Sequence, residues 1–330
     1  MTTFPLSPRL RRITATLAWL LPTLLAGTQT LAADKPAPAC PPTATMPTPA
    51  QVNAGMLRAR DRGFLWRITK DDRVSYLYGT IHIAKADWIY PGPTLVKAAQ
   101  SVDAIALEMD LQDADIVQRF QAALAASPKP TLPEGMTLRL QAQMAKECLP
   151  AQVAQAMSPE MLVNTLIVLS ARRDGLDPGY GIDAVYGGMA RGLKKPAYSL
   201  ETPEAQLKLL QGDTPEDTIR MVEQALQGLE GPEVRAMMTR LGRMWAESRF
   251  DELARYEEWC DCTKTEFDRA MLKRMLDDRN PALADKIDAM HASGQRVFAA
   301  VGSLHMIGST GLPTLMAQRG YQVERVDFAR

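Results

Sequence analysis

The sequence predicts an α/β fold, with a central, mostly parallel sheet flanked by helices and a large inserted helical subdomain at about residues 112–260. Three observations predict it. Leu77-Tyr78-Gly79-Thr80-Ile81-His82 and Val301-Gly302-Ser303-Leu304-His305 each read as a buried strand running into Gly-x-x-His, near opposite ends of the chain. Asp103–Leu107 is a short apolar run set between helical segments, as strands buried on both faces of a parallel sheet require. Between these ends, apolar residues recur at helical spacing in Ile116-Phe120-Leu124 and in Met161-Leu162-Thr165-Leu166-Leu169. Strand and helix alternate at both ends and a helical block interrupts them.

Residues 1–33 read as a cleavable secretory signal: Arg9, Arg11 and Arg12, then apolar Ile13–Ala26, then small residues up to Ala32 or Ala33. The stretch is too short for a convincing membrane span, and Cys40 lacks a leucine-led lipobox, so no stable membrane anchor is expected after cleavage. A periplasmic or secreted protein follows. Residues 34–62 read as a flexible leader rich in Pro, Ala and Thr, with a short helix over Asn53–Arg62. The main domain spans 63–330.

Within it, Phe64–Ile68 and Val74–Tyr78 flank Lys70-Asp71-Asp72-Arg73 as a hairpin. A helix is expected over Pro93–Ser101, and Asp103–Leu107 ends in Glu108. Lys195–Thr202 is a further short strand, ending in Glu201, with a helix opening at Thr202-Pro203-Glu204. Another helix opens at Thr214-Pro215. Helices around Glu266–Asp278 and from Pro281 to Ala292 flank Arg279-Asn280. Strand Arg296–Val301, helix Gly311–Gln318 and strand Tyr321–Val326 complete the chain.

The full chain carries 38 basic and 38 acidic residues, and losing the signal removes three arginines and no acid. A near-neutral surface without basic runs argues against nucleic acid and against an anionic membrane. Cys40, Cys148, Cys260 and Cys262 all lie beyond the signal. An even count in an oxidising compartment suggests two disulfides, with three possible connectivities. Cys260-Asp261-Cys262 has no second Cys or His pair nearby, which favours a disulfide over a metal role.

Four residues share one predicted address: His82, Glu108, Glu201 and His305 each stand at or just past the C-terminal end of a strand, where open α/β sheets bind ligands. The glycine of each Gly-x-x-His is expected to let the backbone turn sharply there. Two imidazoles and two carboxylates can hold a divalent ion and leave a position open for water. Taken singly, each has a plainer account. A lone strand-end His is more often a hydrogen-bonded structural residue, Glu108 and Glu201 suit helix starts, and Arg279-Asn280 suits a solvated corner. His291, near a helix C-terminus, is expected to make only a dipole contact. No His-Glu-x-x-His, P-loop or Gly-x-Ser-x-Gly is present, and Gly179–Ala184 follows a loop rather than a strand.

Leu77–His82, Leu107-Glu108, Gly181-Ile182-Asp183, Leu200-Glu201-Thr202, Arg279-Asn280 and Val301–His305, in this order and spacing, resemble the TraB/GumN family. Gly308–Pro313 and Gly320–Val323 match it too, so the resemblance covers roughly Gly63 to Val326. The larger group includes the Tiki metalloproteases and, more distantly, erythromycin esterases and haem-binding ChaN proteins. The resemblance implies an α/β fold with an inserted helical region. For Tiki relatives it implies peptide-bond hydrolysis dependent on a divalent metal such as Mn²⁺ or Co²⁺; Zn²⁺ is a further candidate.

It carries onto His82, Glu108, Glu201, Arg279 and His305 as the active-site set. The leading expectation is an exported metal-dependent hydrolase of an amide or peptide bond, acting on a peptide or other small envelope substrate. His82, His305 and Glu201 would hold the metal. Glu108, Glu201 and Arg279 would be catalytic, and Gly79, Asn280, Gly302 and Ser303 would meet substrate. The alternatives are a non-catalytic protein binding a peptide, haem or polysaccharide fragment, or an envelope polysaccharide accessory protein.

Overall fold

Seven residues from Phe64 to Lys70 (β1) and eight from Arg73 to Thr80 (β2) pair antiparallel, joined through Asp71 and Asp72, both at positive φ. Two such residues make the tight turn whose twist matches a hairpin. The computed structural model describes residues 39–260 and 262–328. The expected signal peptide lies outside the described residues.

The remaining strands are Ala104–Leu107 (β3), Ala197–Ser199 (β4), Val297–Gly302 (β5) and Gln322–Val326 (β6). They form one mixed sheet in the order β4-β3-β5-β2-β1-β6. Pairing is parallel from β4 through β2 and antiparallel from β2 to β6. β3 and β5 are buried almost throughout, as their unbroken apolar runs foretell.

The sheet core includes Tyr78, Ile105, Tyr186 and Phe298, with the Tyr186 and Phe298 rings stacked at 4.9 Å. A second apolar cluster, including Leu140, Leu166, Val222 and Leu226, lies wholly within the helical block. No helix among the described residues is long and apolar enough to cross a membrane.

Three local readings change. The first helix runs Pro49–Leu57 rather than Asn53–Arg62, because Thr48 and Gln51 form a reciprocal cap and Pro49 suits the first turn. The stretch before it is tied down: Cys40 is bonded to Cys148, and the Ala44 and Thr45 amides donate to Asp177 and Tyr180. The second disulfide joins Cys260 to Cys262.

His291 makes more than the expected dipole contact. It is 1% exposed; Nε2–H donates to the Lys70 carbonyl and Nδ1 accepts the Ser75 hydroxyl. It therefore locks the helix Asn280–Ala292 onto the hairpin.

Candidate functional site

Four adjacent parallel strands end at one edge of the sheet, and each delivers one predicted residue. Glu201 follows β4, Glu108 follows β3, His305 follows β5 and His82 follows β2, so strand order sets the order of the groups. The two Gly-x-x-His segments lie side by side: Gly79 pairs with Val301 and Thr80 with Gly302. The Ser303 hydroxyl donates to the Thr80 carbonyl at 2.7 Å and ties them together.

Neither motif glycine has the positive φ expected of a sharp turn. Space is the reason for glycine. A Cβ on Gly79 would stand 3.0 Å from Ser303 Oγ and 3.2 Å from Ser303 Cα. A Cβ on Gly302 would stand 3.1 Å from Glu108 Oε1, 3.6 Å from His305 Cδ2 and 3.9 Å from His82 Nε2. A side chain at Gly302 would thus meet both histidines and Glu108.

Arg279 organises the carboxylates. Its Nε donates to Glu201 Oε1 at 2.9 Å, and its Nη2 bridges Glu108 Oε2, at 2.7 Å, and Glu201 Oε2. Gln206 Nε2 also donates to Glu201 Oε2. Glu108 Oε1 accepts the Gly302 amide at 2.7 Å. Burial alone would push the Glu108 carboxyl up. The imidazole charges of His305 and His82, the Arg279 charge and the Gly302 N–H outweigh it and hold it at about 2. Arg279-Asn280 is therefore no solvated corner.

The histidines are oriented differently. His82 Nδ1–H donates to Asp183 Oδ2 at 2.7 Å, and Asp183 Oδ1 accepts from Thr80 Oγ1. The Asp183 charge and its hydrogen bond raise His82 to about 9. With its side chain 66% exposed, solvent screens part of that effect. His305 Nδ1–H donates to Asn280 Oδ1 at 2.6 Å, and burial lowers its pKa to about 4. In both rings Nε2 is the nitrogen left for chemistry.

His82, Arg279, Gly302, Ser303 and His305 line a groove of about 480 Å³. Its walls are mainly apolar, with Phe64, Trp245, Met238, Met271 and Met275 among them. Glu108 and Glu201 stand behind Arg279 and do not line it. Gly79 and Asn280, expected to meet substrate, do not line it either: the Gly79 carbonyl accepts the Trp245 indole, and Asn280 is 1% exposed beneath His305.

Among the described residues no group of three or more His, Cys, Asp or Glu side chains could hold a metal ion. The physical reason lies in Arg279, which occupies both oxygens of Glu201, the third donor expected beside His82 and His305. As arranged, the residues do not fit a three-ligand centre. Two partners escaped sequence reading, Asp183 and Asn280 as the groups that orient the histidines. The only signal for either was its place in a short motif, Gly181-Ile182-Asp183 or Arg279-Asn280.

An α/β chain with paired imidazoles and an Arg-bridged pair of glutamates at its parallel strand ends is the class these observations define. The model of the TraB/PrgY/gumN family matches residues 64–325, and the chain belongs to that family. It is also 24% identical, over 259 residues, to the uncharacterized protein YbaP of Shigella flexneri, covering 74% of this chain and 88% of that one. No solved structure matches.

Proposed function

We propose that this chain is an exported hydrolase of an amide or peptide bond, with the groove over His82 and His305 as its active site. One observation carries the reading. Two imidazoles line the same apolar groove, one held against a carboxylate and exposed, the other against an amide and buried. Environments that push two titratable groups apart are how acid and base roles are divided. His305 Nε2 takes a proton from water as the water oxygen adds to the carbonyl carbon. His82 gives its Nε2 proton to the leaving nitrogen as the C–N bond breaks. The proton on His305 passes to solvent and His82 is reprotonated, leaving a carboxylic acid and an amine. The apolar walls suit a substrate with uncharged, bulky side chains. Export is supported by the basic and apolar N-terminal pattern and by two disulfides.

The test is cleavage of a peptide library by the mature protein, with chelator and with added Mn²⁺, Co²⁺ or Zn²⁺. The expected result is cleavage that falls about 10²–10⁴-fold in His82→Ala and His305→Ala, as for loss of a general acid or base. Cleavage seen only with added metal would transfer both histidines to metal ligation. Binding of peptides without turnover in every condition would overturn the hydrolase and favour a binding protein.

A further inference from the structure

A second cavity, of about 590 Å³, shares no lining residue with the groove. It lies between the helix Pro49–Leu57 and the segment Ala86–Tyr90, and three arginines line it: Arg58, Arg60 and Arg62. Among the described residues Asp87 is the one carboxylate on its wall. That acid is 70% exposed and stands 3.5 Å from Arg62, whose own side chain is 14% exposed. Nearby Asp61 is already engaged, accepting the Thr94 and Leu95 amides at the start of the helix Pro93–Ser101. Among the described residues the Arg58 guanidinium has only the Ala54 carbonyl, at 3.3 Å. The Arg60 guanidinium and the Tyr90 hydroxyl have no hydrogen-bond partner among the described residues.

Three cations thus stand around a cavity with one solvated acid; Arg58 and Arg60 are exposed, and the partly buried Arg62 also donates to the Arg60 carbonyl at 3.5 Å. Burial disfavours the Arg62 cation, Asp87 offsets that only in part, and the Arg60 charge works against it. The wall is nonetheless built closely. A Cβ on Gly55 would fall 2.3 Å from the Tyr90 ring, so the helix rests on that ring at a distance only glycine allows. Tyr180, bonded to Thr45, forms another side. Guanidinium forks match phosphate and carboxylate oxygens in bidentate fashion, and an Arg is less costly to desolvate than an ammonium.

We propose that this cavity binds a small, multiply charged oxyanion, a molecule whose two or more phosphate or carboxylate groups meet Arg58, Arg60 and Arg62. The site is separate from the proposed hydrolytic groove and does not depend on that activity.

Isothermal titration of the mature protein with tripolyphosphate and with citrate tests it and separates the two chemistries. Saturable binding of at least one anion is expected, weakening at least about tenfold in Arg60→Gln and in Arg58→Gln, the scale of one lost charge-assisted hydrogen bond. Asp87→Asn should tighten it. Arg67→Gln, an equal charge change on β1 where Arg67 meets Glu324, should leave it unchanged. Circular dichroism confirms that the exposed Arg58 and Arg60 variants fold. No binding of either anion overturns the proposal, and so does an equal loss in Arg67→Gln, which would reveal net charge alone at work.

Discussion

His82 stands two residues past β2 with most of its side chain in solvent and an aspartate on Nδ1. His305 stands three residues past β5, 3% exposed, and holds an asparagine at the same atom. The two segments share Gly-x-x-His, and their strands are hydrogen-bonded neighbours. What separates them is the element packed on each: the helix Ile182–Gly192 supplies Asp183, and the helix Asn280–Ala292 supplies Asn280. A carboxylate partner favours the imidazolium, whereas burial beside a neutral amide favours the neutral ring. One local sequence can therefore be given opposite proton affinities by partners far away in the chain.

The largest expected effect strikes the buried side of this comparison. Arg279 is the cation between Glu108 and Glu201, whose side chains are 8% and 12% exposed. Arg279→Leu leaves two buried carboxylates without their shared partner. Breaking a buried pair costs about 3–5 kcal/mol, chiefly through the charge left behind. Urea unfolding at pH 7 should show a loss of that size, with a partial recovery in the triple variant carrying Glu108→Gln and Glu201→Gln. A loss under 1 kcal/mol would mean that the cluster is solvated in a way this packing does not allow.

Next in size is the acid limb of stability. The folded His305 binds its proton only near pH 4, while the unfolded histidine binds it near 6.5. The unfolded state thus takes up more protons in between, so stability falls as pH drops from about 6.5 to 4. At 1.36 kcal/mol per unit, the shift amounts to about 3 kcal/mol. Comparing unfolding of the wild type with His305→Gln at pH 7 and at pH 4.5 isolates it: the wild type should lose more. Equal losses would place His305 in a less apolar setting than its 3% exposure indicates.

Much of this frame was legible because strand period, turn residues and short apolar runs are local signals. The hairpin, β3, β5 and the strand ends carrying His82, Glu108, Glu201 and His305 follow from them. The pairings were not legible, because they are made across long separations: His82 to Asp183 over 101 residues, and Arg279 to Glu108 over 171. The motif glycines illustrate the limit from the other side. Sequence marks Gly79 and Gly302 as special, yet only the packing of Ser303 and Glu108 against them shows that space rather than turning is at stake. His291 misled for the same reason: nothing nearby in the chain announces Ser75 or the Lys70 carbonyl.

The smallest expected effect belongs to the exposed member. His82 gains its proton affinity from Asp183, so the folded pKa is raised, to about 9, above the unfolded value near 6.5. The sign is opposite to that of His305. The pair's contribution is fully present below pH 6.5 and is lost as pH rises through about 9. Because His82 is 66% exposed, solvent screening reduces that contribution to the range of surface ion pairs, under about 1 kcal/mol. Unfolding free energies of wild type and His82→Ala should differ by that little at pH 6 and converge by pH 10. Asp183→Asn sharpens the comparison further, since it gives His82 the kind of partner that His305 has. In an NMR titration of the ring protons, the His82 midpoint should then fall below its wild-type value while that of His305 stays near 4. A His82 midpoint that did not move would show that Asp183 is not what sets the two imidazoles apart.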